Sequence, residues 1–171
     1  MNQFEFIKTI TPFKDRVYRL AKRLLVSNEE AEDATQEVLV RLWNNKNKLG
    51  SYTSVEALAM TITKNYCLDQ LKSKRATEMR IVHSNFTDGQ ASLQQQAEDK
   101  DSWEWAEKII NTLPEQQRLI LQMRDVEQYE FEEIAKIMDM NETAVRVALS
   151  RARKTLREEL TKMHSYGIKS N

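Results

Sequence analysis

Residues 131–154 read FEEIAKIMDMNETAVRVALSRARK, and this stretch decides how the chain folds. Ile134, Met138, Met140, Val145 and Ala148 are apolar where two helices joined by a short turn pack together, and Ala135 is small where the second must approach closely. The spacing predicts one helix over Phe131–Met138 and a second from Glu142 to about Leu160. Asp139 stands at the turn position that needs left-handed backbone, which aspartate tolerates better than most residues. Asn141 is a good N-cap for the second helix. A turn this short suits a helix-turn-helix. The second helix then displays Thr143, Arg146, Ser150, Arg151, Arg153 and Lys154, many of them off the buried stripe of Val145, Ala148, Leu149 and Ala152. Hydroxyls and arginines near a helix start can enter the major groove and bond guanine edges and phosphates. A plain helical hairpin with a basic outer face would show the same pattern.

Upstream, a helix near Trp103 is predicted by Ala106, Ile109 and Ile110, and Thr112-Leu113-Pro114-Glu115 reads as a capping signal before Ile120, Met123 and Val126. Glu127-Gln128-Tyr129 reads as a short break. From His83 to Asp101 helical periodicity dissolves into polar residues, which reads as a flexible linker. Before it, Thr11-Pro12 signals a helix carrying Phe13, Val17, Leu20, Ala21 and Leu24. Ser27 to Glu30 reads as a capping box opening a helix to about Trp43, with Ala31, Ala34, Thr35, Val38 and Leu42 inward. Asn44–Ser51 reads as a polar loop. Thr53 to Glu56 reads as a further capping box, opening a helix to Lys74 or beyond with Val55, Ala59, Ile62 and Tyr66 inward. The expected organisation is all-α: a helical unit over 1–80, a linker over 81–101, a second unit with the helix-turn-helix over 102–163, and a tail over 164–171.

Composition agrees with that architecture. The chain has 171 residues but only three glycines and two prolines, too few for the turns of a sandwich, barrel or phosphate-loop fold. No apolar run is long enough to span a bilayer, and the start lacks the marks of a signal peptide. The single Cys67 suits a reducing cytoplasm and reads as a small core residue. The 26 basic and 26 acidic residues balance but are not mixed evenly. Residues 1–80 and 142–171 each carry net +4, whereas 81–111 and 112–141 each carry net −4. Two basic blocks flank an acidic middle.

Two more faces bear on function. Asp33, Gln36 and Glu37 lie three and four residues apart, opposite the apolar stripe of their helix. They could dock basic groups of a partner, although acidic residues near a helix start are favoured by its dipole alone. A di-metal carboxylate site would require a histidine three residues after a glutamate, and none follows. The next helix carries Thr61, Lys64, Asn65, Leu68, Lys72 and Arg75 along one face, suiting a nucleic-acid backbone or a solvated surface. Catalytic chemistry has little support: there is no HExxH, CxxC, GxSxG or glycine-rich phosphate loop. No cofactor is expected.

These features, in this order, resemble the extracytoplasmic-function sigma factors, the smallest class of bacterial promoter-recognition subunits. Glu32-Asp33-Ala34-Thr35-Gln36-Glu37-Val38 is similar to the family's motif for docking on the clamp helices of RNA polymerase. Ile62-Thr63-Lys64-Asn65, with Asp69 and Lys72, is similar to its helix for the −10 promoter element. Leu113-Pro114-Glu115 and Glu132–Arg153 are similar to its −35 reader. Leu58, Leu49, Gln128 and Glu130 depart from the family pattern, and Glu130 in place of serine leaves a poorer cap for the helix that follows.

The resemblance implies a non-enzymatic, cytoplasmic protein with two partners, core RNA polymerase and promoter DNA. Asp33, Gln36 and Glu37 would anchor polymerase. Lys64, Asn65, Lys72 and Arg75 would hold the −10 strand, and Thr143, Arg146, Ser150, Arg151, Arg153 and Lys154 would meet the −35 element. An anti-sigma factor, often membrane-bound in the family, is a further implied partner, with no membrane insertion by this chain. The alternative is a helix-turn-helix regulator binding an operator without polymerase. With two readers on a linker of roughly twenty residues, their spacing in the free chain is expected to be unfixed and avidity low.

Overall fold

A computed structural model describes residues 1–82 and 102–169. Most of the expected linker therefore lies outside the described residues. Among those described there is no strand, and the order is α1 (Gln3–Ile10), α2 (Lys14–Leu25), α3 (Asn28–Asn44), a 3₁₀ turn (Lys46–Ser51) and α4 (Val55–Val82). The second group comprises α5 (Ser102–Thr112), α6 (Glu115–Leu121), a π-helical turn (Gln122–Val126), α7 (Phe131–Met138) and α8 (Glu142–Lys169).

Helix α1 is a departure from the sequence reading, which places nothing before Thr11. Its start is fixed reciprocally: the Asn2 side chain accepts from the Glu5 amide at 2.9 Å, and the Glu5 carboxylate accepts from the Asn2 amide at 3.0 Å. Phe6 and Ile10 point inward, Phe6 meeting the Trp43 ring edge-on with centroids 5.1 Å apart. Thr11 closes α1, donating its hydroxyl to the Ile7 carbonyl, instead of capping α2.

The expected stripe of α2 and the five inward residues of α3 are all buried. Ser27 caps α3, accepting from the Glu30 amide, but the expected box is not closed, since the Glu30 carboxylate lies 3.6 Å from Lys74. Asn44–Ser51 is not a plain loop, because Leu49 is buried and winds Lys46–Ser51 into a 3₁₀ turn. Ser54, one residue beyond the expected Thr53, accepts from the Ala57 amide and opens α4. Helices α2, α3 and α4 pack around Leu20, Leu24, Leu42, Met60 and Cys67, each at most 1% exposed. Burial holds the Cys67 thiol neutral, its pKa pushed up to about 12.

In the second group, Thr112 donates to Ile109 and Pro114 occupies the cap position of α6 without a side-chain bond. The π turn inserts one extra residue per turn. It buries Gln122 and Met123, and the following Glu127 and Tyr129 also turn inward around Gln128, whose φ is +60°. The break expected at 127–129 is thus an inward-facing corner. Helix α7 matches its expected bounds, and its start is firmer than the Glu130 substitution suggests: the Glu133 carboxylate accepts from the Glu130 amide at 3.0 Å. Asp139 is left-handed (φ 52°, ψ 50°), and Asn141 accepts from the Ala144 amide at 2.7 Å. Helix α8 continues to Lys169, beyond the expected end near Leu160.

The two groups touch. Helix α2 packs on α6 and the π turn, and α4 packs on α7. Among the described residues no helix is long and apolar enough to cross a membrane.

Candidate nucleic-acid interface

Helix α8 buries Val145, Ala148, Leu149 and Ala152 against the rest of its unit, which forces the remaining positions outward. Thr143, Arg146, Ser150, Arg151, Arg153 and Lys154 are all exposed. Arg146, Ser150 and Arg153 line one shallow groove together with Phe131, Leu149 and Arg157. Arg157 is a cation that the sequence reading omitted, although it continues the same stripe one turn on. Thr143, Arg151 and Lys154 stand outside that groove. The Arg146 guanidinium lies 4.0 Å from the Phe131 ring centroid. Arg153 makes two bonds to Asp125, which hold its pKa up.

Helix α4 presents its basic stripe differently. Asn65, Lys72 and Arg75 are exposed, but Lys64 is half-buried and donates to the Ile137 carbonyl of α7 at 2.8 Å. Desolvation lowers the Lys64 pKa, partly opposed by nearby Asp139. Arg75 donates to the Glu115 carboxylate at 2.5 Å. Two of the four α4 residues read as −10 contacts are therefore already engaged by the second unit.

On α3, Asp33 and Gln36 are exposed and Glu37 is half-exposed, sharing one face as the spacing predicts. Glu37 accepts from Arg41 at 3.0 Å, one turn along the helix. Such a pair between exposed groups holds only weakly and can be exchanged for a partner's cation.

The contact between the units contains residues that the sequence reading did not single out. Glu127, with its side chain 2% exposed, accepts from Arg19 at 2.6 and 2.8 Å, and Arg16 lies 3.7 Å away. Tyr129 donates to Glu56 at 2.7 Å, and Arg16 donates to the same carboxylate oxygen at 2.6 Å. Burial and the neighbouring carboxylates push the Tyr129 hydroxyl far above its ordinary pKa, so it remains a donor. Arg23 donates to Gln122 at 2.9 Å, and burial lowers its pKa despite Glu107 nearby. The available sequence signal was the spacing of Arg16, Arg19 and Arg23, three and seven residues along one face of α2. That spacing could not show which carboxylate it meets.

The spacing expected to be unfixed is therefore set, in this structure, by a bonded contact. Among the described residues no cluster of His, Cys, Asp or Glu could hold a metal ion.

Comparison with known proteins agrees with this geometry. Residues 9–77 match Sigma-70 region 2, and residues 103–156 match Sigma-70, region 4. The ECF RNA polymerase sigma factor SigE of Mycolicibacterium smegmatis is 29% identical over 154 residues, covering 88% of this chain and 60% of that protein. SigW of Bacillus subtilis, another ECF RNA polymerase sigma factor, is 24% identical over 170 residues, covering 93% of this chain and 90% of its own length. The fold is similar to that of the sigma factor RpoE from Bartonella quintana, solved with the anti-sigma factor NepR. That match has a TM-score of 0.69 and 23% identity, over 92% of this chain and 97% of RpoE. It is also similar to CnrH, solved with the cytosolic domain of CnrY, with a TM-score of 0.67 and 16% identity over 94% and 90% of the two chains. With regions 2 and 4 in order along an all-helical, two-unit chain, the protein belongs to the extracytoplasmic-function group of the sigma-70 family.

Proposed function

We propose that this protein binds core RNA polymerase and directs it to promoters through two DNA-reading helices. The observation that carries the reading is the placement of three separate faces on one chain. An acidic face on α3 stands clear of the core, and basic stripes run along α4 and α8. Asp33, Gln36 and Glu37 dock on polymerase. Lys64, Asn65, Lys72 and Arg75 hold the −10 strand, and Thr143, Arg146, Ser150, Arg151, Arg153 and Lys154 meet the −35 element. The units correspond to residues 1–80 and 102–163, joined by 81–101 and followed by a tail over 164–171. The protein performs no chemistry itself, works in the cytoplasm, and is held in check by an anti-sigma factor. The titles of both structural neighbours name such a partner for those proteins.

The bonded contact between the units refines this reading. Lys64 must turn away from Ile137, and Arg75 must exchange its bond to Glu115, before either serves a DNA strand fully. The free protein therefore binds promoters poorly and becomes selective when polymerase separates the units. This replaces the expectation of a free chain with loose readers: the obstacle is occupancy, not slack.

The test is co-elution with core polymerase, followed by footprinting of a cognate promoter with and without it. Reversing both charges (Asp33→Lys with Glu37→Lys) should abolish co-elution while leaving the helical circular-dichroism signal intact. Wild-type affinity in that variant would refute the docking assignment. Protection of both elements by the free protein at about 10⁻⁸ M would favour an operator-binding regulator instead.

A further inference from the structure

Phe131 is the first residue of α7, half-buried, and its ring is approached by two guanidinium groups. Arg146 of α8 lies 4.0 Å from the ring centroid, and Arg124 of the π turn lies 4.3 Å from it. Arg124 is tethered from behind, donating to the Tyr129 carbonyl at 2.9 Å with the Glu130 carboxylate 4.0 Å away. The neighbouring groove holds Arg153, already tied to Asp125, and Arg157.

An exposed arginine with no partner samples many rotamers, and one beside other cations is driven outward by repulsion. A guanidinium on an aromatic face loses most of that freedom, because the ring attracts it and packs flat against it. We infer that Phe131 is a positioning residue: its ring fixes the Arg146 side chain over the groove, so that the arginine meets one base edge already oriented. Phe131 itself touches no DNA in this arrangement. It sets the sharpness of the preference at the base that Arg146 reads, and it leaves general affinity, supplied by phosphate contacts, largely unchanged.

The inference rests on the −35 reading above for one of its two readouts. Phe131→Leu keeps apolar volume and removes the ring; Phe131→Tyr keeps the ring. The first readout is nuclear magnetic resonance of the free full chain, following the Arg146 side-chain protons. Ring-current upfield shifts should be present in the wild type and in Phe131→Tyr, and lost in Phe131→Leu. Their absence in the wild type overturns the inference. The second readout is a promoter library transcribed by polymerase holoenzyme. Phe131→Leu should flatten preference at the Arg146 position about two- to fivefold, the range an exposed cation–π contact supports, with Phe131→Tyr close to wild type. Should Phe131→Leu keep full preference while Arg146→Ala loses it, the inference fails and the −35 reading stands. Should Arg146→Ala itself keep full preference, the −35 assignment of Arg146 fails, and the functional part of the inference fails with it. A loss of preference spread over every position in Phe131→Leu marks a folding defect and also overturns the inference.

Discussion

Helices α4 and α8 are each 28 residues long and each carries a basic stripe, yet the molecule uses the two stripes in opposite ways. On α8 the arginines face outward, and Arg153 is neutralised only by Asp125 within the same unit. On α4 two of the cations are satisfied by the other unit, Lys64 by a carbonyl and Arg75 by a carboxylate, while Lys72 stays exposed. Both sequences carry an excess of cations, five against three acids on α4 and seven against three on α8. The difference lies in the partner surface, so a basic helical stripe signals attraction to negative groups without saying whose.

The comparison breaks first at the corner that joins the units. Glu127→Ala removes the buried carboxylate and leaves the Arg19 guanidinium without its two bonds. Because the Arg19 side chain is itself 45% exposed, water recovers part of that loss, and about 1.5–3 kcal/mol of the contact should disappear. Small-angle scattering should show a larger radius of gyration, and free-protein binding to a −10 strand should strengthen. A compact variant with unchanged binding would mean that the apolar packing of α2 on α6, and not the ion pairs, holds the units.

Next comes the outward-facing stripe of α8. Arg146→Ala should cost about 1–3 kcal/mol at one −35 position and relax preference there, whereas Lys154→Ala should weaken all promoters alike. A promoter library in which both variants lower activity evenly would erase the distinction between base and phosphate contacts on α8.

A smaller effect should separate the cations of α4 itself. Lys64→Met removes one charge-assisted bond to a carbonyl, about 1.5 kcal/mol of the contact, and should open the units less than Glu127→Ala, which removes two. Reductive methylation of the free protein should label exposed Lys72 readily and Lys64 slowly. Equal labelling would show that Lys64 is not held. Smallest of all, thiol reagents at pH 8 should leave Cys67 unmodified in the folded chain, since its pKa near 12 keeps the thiolate scarce, and modify it on unfolding.

What the sequence could tell follows from the range of each interaction. The first helix, the turn and the start of the second helix of the helix-turn-helix were legible because they are built from local signals: a 3.6-residue stripe, a left-handed Asp139 and an Asn141 cap. The inward residues of α3 were legible for the same reason. Helix α1 was missed because its box pairs asparagine with glutamate only three residues from the start, before any periodicity accumulates. Thr11, Thr53 and Thr112 were each read as caps, yet the bond goes to a neighbour or a preceding carbonyl. Of the site residues read on α4, Asn65, Lys72 and Arg75 are exposed and Lys64 is half-buried. Their engagement was invisible, because Lys64 and Ile137 are 73 positions apart and no local pattern spans that distance.

The bond from Lys64 to Ile137 also bears on how the protein will respond to ionic strength. Ile137 is the penultimate residue of α7, so its carbonyl sits at the negative end of that helix. The chain thus carries a built-in acceptor for a cation proposed to hold the −10 strand. Ordinary DNA binding gains entropy by expelling condensed salt ions, and its affinity falls steeply as salt rises. Here the group expelled from Lys64 is part of the protein and is not diluted into the buffer. That contact adds no salt ion to the exchange on the protein side, and the same holds for Arg75 with Glu115. The −10 contacts should accordingly be governed first by whether the two units are apart, while the cations released from the DNA give both elements the usual salt dependence.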